Sequence, residues 1–282
     1  MPTLIWKSPG AGTSLGTSTA DTQIGGASQY TPEWATRVKG LRPQVAAVTV
    51  TTQEALHGTA WISSNSFSPN PSKVVWVGNN GSVATNSLPI NPPTEFWPMN
   101  YKIHGGEPYD VYMKAAVANT AAPYGTADVA FGTEDAVMPS RLDPYPHGVE
   151  VYYDVSSNTG TATASAAQAL TAFTITGAKA VVEVFGYMIK TATAAQKPVI
   201  GYYRLSSNGF ETSPIDMGVE AVNGALGTVT GEDTPKISRQ AVLLGCSPTT
   251  VIQPTYNQGA GVSITTDIGN VGVAFVRDWG RE

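Results

Sequence analysis

Apolar and polar positions alternate along this chain with a period of two, and only rarely with the 3.6-residue period of a helix. In "VEVYYDV", Val149, Val151, Tyr153 and Val155 share one face, and Glu150, Tyr152 and Asp154 the other. "YDVYMKAAV" sorts Tyr109, Val111, Met113, Ala115 and Val117 in the same way, and "GVSITTDI" sorts Val262, Ile264, Thr266 and Ile268. Two runs, "AVVEVFGYMI" and "KVVWVG", are apolar on both faces, as a strand covered on both sides must be. Between the runs lie turn clusters such as "SPNPS", "GNNGS", "PINPPTE", "SSNTG" and "GEDTP". A single helical turn is expected at "TPEWATRV", with Pro32 in its first position after Thr31. The expectation is an all-β chain of short strands in a sandwich or barrel.

One phrase recurs. Residues 63–85 match residues 206–228 at a constant offset of 143, with identity at eight of 23 positions: Ser63, Ser64, Asn65, Phe67, Pro71, Asn80, Gly81 and Thr85. Gly58 and Gly201 extend the match, and "DVAFG" at 128–132 answers "GVAFV" at 272–276. A third match pairs "VKGLRPQV" (38–45) with "ITGAKAVV" (175–182) at an offset of 137, which requires six extra residues in the second copy, placed in "TATAAQ". The reading is two copies of one β-domain joined near "MPSRLDPYPHG", at 31–140 and 141–282, behind a flexible Gly/Ser/Thr-rich arm at 1–30. The Asn-Gly pairs at 80–81 and 223–224 read as hairpin turns, and Phe67 and Phe210 as core plugs.

Composition narrows the function. Only 13% of the 282 residues are charged, while 41% are hydrophobic, a balance opposite to that of disordered chains. The net charge of −5 offers no basic field to attract nucleic acid. The start, "MPTLIWKSPGAG", lacks the apolar core of a secretory signal, and no run reaches the ~18 apolar residues of a membrane helix. A soluble protein assembled inside a cell is expected. Cys246 is the lone cysteine, read as a small buried residue.

Candidate chemistry is sparse. "GTSLG" (12–16) fits the G-x-S-x-G pattern with Ser14 as nucleophile, and Asp128 and His147 would complete the order Ser, Asp, His. The required strand and helix around Ser14 are missing from the pattern, so a serine hydrolase is not the reading adopted. His57, His104 and His147 stand too far apart in sequence to share one strand as metal ligands, and loop or surface positions are expected for them. The acidic pairs Glu134–Asp135 and Glu232–Asp233 lie in turn contexts and suggest no catalytic dyad. The six tryptophans at 6, 34, 61, 76, 97 and 279 are not repeated between the two copies, as a tandem glycan-binding platform would require, and read as core or interface anchors. The expectation is a non-enzyme with no catalytic, metal or cofactor residues.

The tandem arrangement, carried by Ser63–Thr85 echoed in Ser206–Thr228 and by Val129-Ala130-Phe131 echoed in Val273-Ala274-Phe275, resembles the double jelly-roll major capsid proteins of tailless icosahedral bacterial and archaeal viruses. The resemblance implies two eight-stranded jelly rolls and a homotrimeric, pseudo-hexagonal capsomer that meets neighbouring capsomers and other virion proteins, often above an internal viral membrane. It places the protein in the virion, assembled in the host cytoplasm. Alternatives are a decoration, spike or tail protein of a virion, a tandem carbohydrate-binding or adhesin module, and an enzyme on a jelly-roll scaffold, which convergent histidines or carboxylates in a pocket would favour.

Overall fold

The computed structural model describes residues 3–9, 12–46, 54–66, 72–80, 95–116, 118, 122–139, 144–145, 148–156, 160–162, 167–189, 198–209, 214–222, 225–226, 229–230, 236–258 and 266–278. All regular structure among them is strand. The first half holds β1 (Leu4–Lys7), β2 (Thr13–Ser14), β3 (Thr22–Tyr30), β4 (Arg37–Ala46), β5 (Glu54–Ser64), β6 (Lys73–Asn80), β7 (Trp97–Lys102), β8 (Pro108–Ala115) and β9 (Tyr124–Gly132). The second holds β10 (Val151–Val155), β11 (Gly160–Ala162), β12 (Gln168–Ala169), β13 (Phe173–Thr176), β14 (Ala180–Ile189), β15 (Pro198–Ser207), β16 (Ile215–Val222), the small hairpin β17 (Ala225–Leu226) and β18 (Val229–Thr230), then β19 (Ser238–Gly245), β20 (Thr249–Gln258) and β21 (Thr266–Val276).

Each half is a pair of antiparallel sheets. The first pairs β1-β9-β4-β7, with β2 also on β9, and β3-β8-β5-β6. The second pairs β10-β21-β14-β19, with β11 also on β21, and β12-β20-β15-β16, with β13 also on β20. When β1/β2, β10/β11 and β12/β13 each count as one interrupted strand, both halves pair as 1-8-3-6 and 2-7-4-5. This is a jelly-roll-like sandwich made twice.

Register ties the two together residue by residue. Gly58 lies opposite Trp76 and Ala115, and Gly201 opposite Val219 and Gln258; every member is shifted by 143. Val38 faces Phe131 and a bulge follows before Gly40; Val181 faces Phe275 and a bulge follows before Glu183. The offset-137 match is therefore corrected. Val38 corresponds to Val181, while Gly177 sits at φ +73° in the turn before β14, a position unrelated to Gly40 within β4. The "TATAAQ" segment, Phe67, Phe210, Gly81 and the Asn-Gly pair at 223–224 lie outside the described residues, while Asn80 is the last residue of β6.

The flexible arm is also corrected. Residues 4–7, 13–14 and 22–30 are strands: Leu4 to Lys7 pair with Gly132 to Val129, and Leu15 and Ile24 are buried in the core. Those two side chains, worth about 1.5–3 kcal/mol each when buried, anchor a stretch whose backbone supplies the rest of the pairing. The Gly and Ser content serves its bends; Gly25, at φ +86°, approaches the Pro9 carbonyl so closely that a Cβ would sit 2.5 Å from it. The expected helical turn is a β-turn, closed by Ala35 N–H on the Pro32 carbonyl at 2.9 Å, after which the chain enters β4.

The alternation holds where side chains are described. Val149, Val151, Tyr153 and Val155 are buried, as are Tyr109, Val111, Met113 and Ala115. The recurring "SSN" also has a local cause. Ser64 Oγ accepts the Ser66 N–H at 3.2 Å, and Ser207 Oγ accepts the Gly209 N–H at 2.9 Å, so the hydroxyl closes the same turn in each half.

The glycine shared by both halves is explained by close approach. A Cβ at Gly58 would meet the Lys114 carbonyl at 1.9 Å and the Trp76 ring at 2.7 Å; at Gly201 it would meet the Tyr256 hydroxyl at 2.6 Å and the Asn257 carbonyl at 2.7 Å. Gly58→Ala is expected to lower stability by about 2–3 kcal/mol and Gly201→Ala by less, read as shifts in the urea unfolding midpoint.

Candidate functional site

The residues singled out by motif do not converge. Ser14 lies on β2 opposite Tyr124, exposed, its hydroxyl accepting the Gly16 N–H at 3.4 Å. Asp128 is engaged on the outer face of β9 by Arg42 (3.0 Å) and Gln44 (2.7 Å). His104 is exposed in the turn between β7 and β8, and its carbonyl accepts the Thr31 hydroxyl at 2.8 Å. Glu134 faces Arg37, whose guanidinium holds its carboxyl below the ordinary range, and Asp135 is exposed beside it. His147, Glu232, Asp233 and Trp279 lie outside the described residues. Trp61, Trp76 and Trp97 are buried, whereas Trp6 and Trp34 are partly exposed; Cys246 is half-buried.

The dense chemistry is elsewhere, at a seam between the two halves. Strand β14 is buried along its whole length because it has two covered faces. Val181, Val184 and Met188 point into the second sandwich, while Val182, Phe185, Tyr187 and Ile189 join the core of the first. The cover comes from β5, β6 and β7. Trp97, fully buried, packs edge-on against Phe185 at 4.7 Å and Tyr153 at 5.4 Å. Tyr153 donates its hydroxyl to the Pro98 carbonyl (2.6 Å), and Tyr101 donates to the Val151 carbonyl (2.7 Å). Ser72 Oγ takes the Tyr153 N–H at 2.6 Å.

Three polar clusters fix this apolar contact. In the first, His57 of β5 meets Tyr187 of β14, Nδ1 to hydroxyl, at 2.9 Å. The Tyr187 hydroxyl donates to Asn270 Oδ1 at 2.8 Å, so His57 Nδ1 carries the proton and donates to Tyr187. Asn270 Nδ2 donates in turn to the Ser156 carbonyl at 2.8 Å. Burial pushes the His57 imidazole down to about 3, keeping it neutral. A cavity of about 250 Å³ opens beside this cluster, lined from both halves by Thr59, Lys73, Lys114, Val155, Ser156 and Asn270.

In the second, buried Arg37 reaches Glu134, Glu150 (2.9 Å) and the Asn100 carbonyl (3.2 Å), clamping the connection between the halves. Lys39 Nζ holds Asn100 Oδ1 at 2.8 Å. Asn100 has φ +73°, a conformation that asparagine tolerates better than most residues. In the third, Arg239 grips Glu183 through two nitrogens, donates to the Phe96 carbonyl at 3.2 Å and lies 4.5 Å over the Trp97 ring, while Tyr145 donates to Glu183 at 2.7 Å.

Arg37, Glu183 and Arg239 carry no motif, since each stands at the start of a strand or singly within one. The available signal was charge out of place: Glu183 within "AVVEVFGYMI" and Arg37 directly before a strand core.

No protein-family model matches the chain, and no curated protein sequence matches it. Among solved structures it is similar to PNGF-II, with a TM-score of 0.43 and 10% identity over 99% of this chain and 65% of that one. It is also similar to infectious bursal disease virus, Gt strain (TM-score 0.29, 12% identity, 97% of this chain and 70% of that one) and Gx strain (0.27, 11%, 96% and 70%). The chain thus spans slightly less than two thirds of the PNGF-II chain. The functional reading below rests on the seam and the repeated frame.

The seam makes two predictions. His57 is neutral when folded, with a value near 3, and titrates near 6.5 when unfolded, so the folded state binds fewer protons between those values. Its contribution is complete above pH 6.5 and is lost as pH falls from 6.5 towards 3, by at most about 1.4 kcal/mol per pH unit. His57→Gln should flatten that part of the stability–pH profile relative to wild type in urea titrations. Arg239→Met should cost about 3–5 kcal/mol by stranding buried Glu183, and adding Glu183→Met should recover most of it in the same assay.

Proposed function

We propose that this chain is a structural protein of a virion: a capsid protein whose principal partner is itself, with no catalytic role and no cofactor. The observation that carries the reading is the repeated frame: one strand order, in one register, made twice and joined through a dry, polar-pinned seam into a two-lobed block. Such a block suits shell building, because three copies present six similar lobes and can tile a hexagonal lattice, and assembly needs only complementary patches on identical chains. In this reading the capsomer is a homotrimer that contacts neighbouring capsomers and other virion proteins. It acts in the virion after assembly in the host cytoplasm, without sequence-specific contact to nucleic acid.

The surface supports a self-associating role. Val137, Ile200 and Leu243 are large apolar side chains more than 60% exposed. Light scattering and electron microscopy of the purified protein should find concentration-dependent assembly into multi-lobed rings or closed shells. A protein that stays monomeric at all concentrations and instead captures glycans would overturn the reading in favour of a carbohydrate-binding module.

A further inference from the structure

Within one chain, the edge formed by β5, β6 and β7 of the first sandwich covers the outer face of β10-β21-β14 in the second. The shared register shows where the corresponding edge and face lie in the other two half-surfaces. The edge of the second sandwich has Ile200 where the first has His57, Gln240 where it has Trp97, and Leu243 where it has Asn100, each shifted by 143. His57, Trp97 and Asn100 are buried in the seam; Leu243 is 71% exposed, more than any other large apolar side chain among the described residues, and Ile200 is 61% exposed.

The face also has a counterpart. Pairing places Trp6 where the second sandwich has Tyr153 and Arg42 where it has Phe185; two residues further along each strand, Gln44 stands at the position of Tyr187, where β14 has a second bulge. Trp6 is 37% exposed, and Arg42 lies 4.5 Å over its ring while bonding Asp128. Each chain therefore holds one spent edge–face pair, one bare edge, and one partly covered face at the corresponding positions, where Phe96 packs on Ala130 and meets Trp6 edge-on at 5.2 Å. Covered positions in the seam combine aromatic side chains with His57 and Asn100; the counterpart face is amphipathic, with an indole, a stacked guanidinium and an amide, as suits a contact made and unmade between molecules.

We infer that the bare edge of one copy, through Ile200 and Leu243, docks on the Trp6–Arg42–Gln44 face of a second copy, repeating between chains the contact that the seam makes within one. The contact is head-to-tail: each copy donates an edge and receives one, so it propagates from copy to copy, as a ring where the rotation between copies closes and as an open chain where it does not. By the correspondence His57–Tyr187, Ile200 of one copy sits over Gln44 of the next. This inference deepens the self-assembly reading and rests on it.

The test uses the full chain with Cys246→Ser. Gln44→Cys with Ile200→Cys, treated with a short bismaleimide, should yield covalently linked multimers on denaturing gels, and neither single substitution should give more than a dimer. The bismaleimide is chosen because His57 and Tyr187 meet at their tips, which sets their Cβ atoms too far apart for a direct disulfide at the matching positions. Leu243→Glu, at an exposed position that leaves the fold intact by circular dichroism, should raise the concentration for half-assembly by about tenfold or more. If wild type assembles but the cysteine pair gives no multimers and Leu243→Glu changes nothing, the docking inference is overturned and the shell reading stands. If wild type is monomeric throughout, both fall.

Discussion

The structure depends on one sheet that cannot be left uncovered. The β10-β21-β14 surface of the second sandwich carries Tyr153, Phe185, Tyr187, Val182 and Ile189 on its outer side, and a jelly-roll-like sandwich has no second internal layer to hide them. Only the first sandwich does so. The hydrophobic term sets the strength of the contact, and the polar clusters set its geometry. Tyr153 and Tyr101 donate to backbone carbonyls across the seam, and Arg239 and Glu183 neutralise each other where either alone would be costly. The two halves therefore share one core cluster despite being two sandwiches by topology.

The halves share a frame and differ in what covers it. Strand order coincides, the bulge after Val38 recurs after Val181, and the glycine that lets backbone approach backbone stands at 58 and again at 201; β14 adds a second bulge between Gly186 and Met188 that β4 lacks. At seam positions the side chains diverge. Phe96 lies over Gly40 in the first half, where the second has Arg239 on Glu183; Arg42 and Gln44 stand where the second half has Phe185 and Tyr187. Backbone pairing tolerates such exchange because ladder hydrogen bonds are indifferent to the side chain, while each face must match whatever lies against it. The pattern of divergence is thus a map of contacts: where the chain covers itself each side chain has a partner from the other half, as His57 has Tyr187, and at the corresponding uncovered edge stand Ile200 and Leu243.

Strand identity and facing were legible in the chain because a strand with one wet face writes its environment at period two. Val151, Tyr153 and Val155 could be assigned to the interior from their spacing alone. The doubled unit was legible too, since turn closure by Ser64 and Ser207 and close approach at Gly58 and Gly201 are local demands that restrict residue type. The first thirty residues were misread as an arm because edge strands held by backbone pairing need few apolar residues; Leu15 and Ile24 suffice. The match at "VKGLRPQV" was misaligned because Gly40 and Gly177 look alike in sequence yet serve different needs, room for Phe96 in one case and a left-handed turn in the other.

By itself, the sequence determined an all-β chain, its inward and outward positions, and the recurrence of one unit. Tertiary structure alone decided that "AVVEVFGYMI" faces its own core on one side and the other half on the opposite side. It also decided that His57, read as a loop or surface histidine, lies within β5 as a neutral buried donor to Tyr187, 130 positions away. Alternation records whether a residue meets water or protein, which is a property of each position. Which protein surface it meets is a property of pairs far apart in the chain, and it appears only when the two sandwiches are brought into contact.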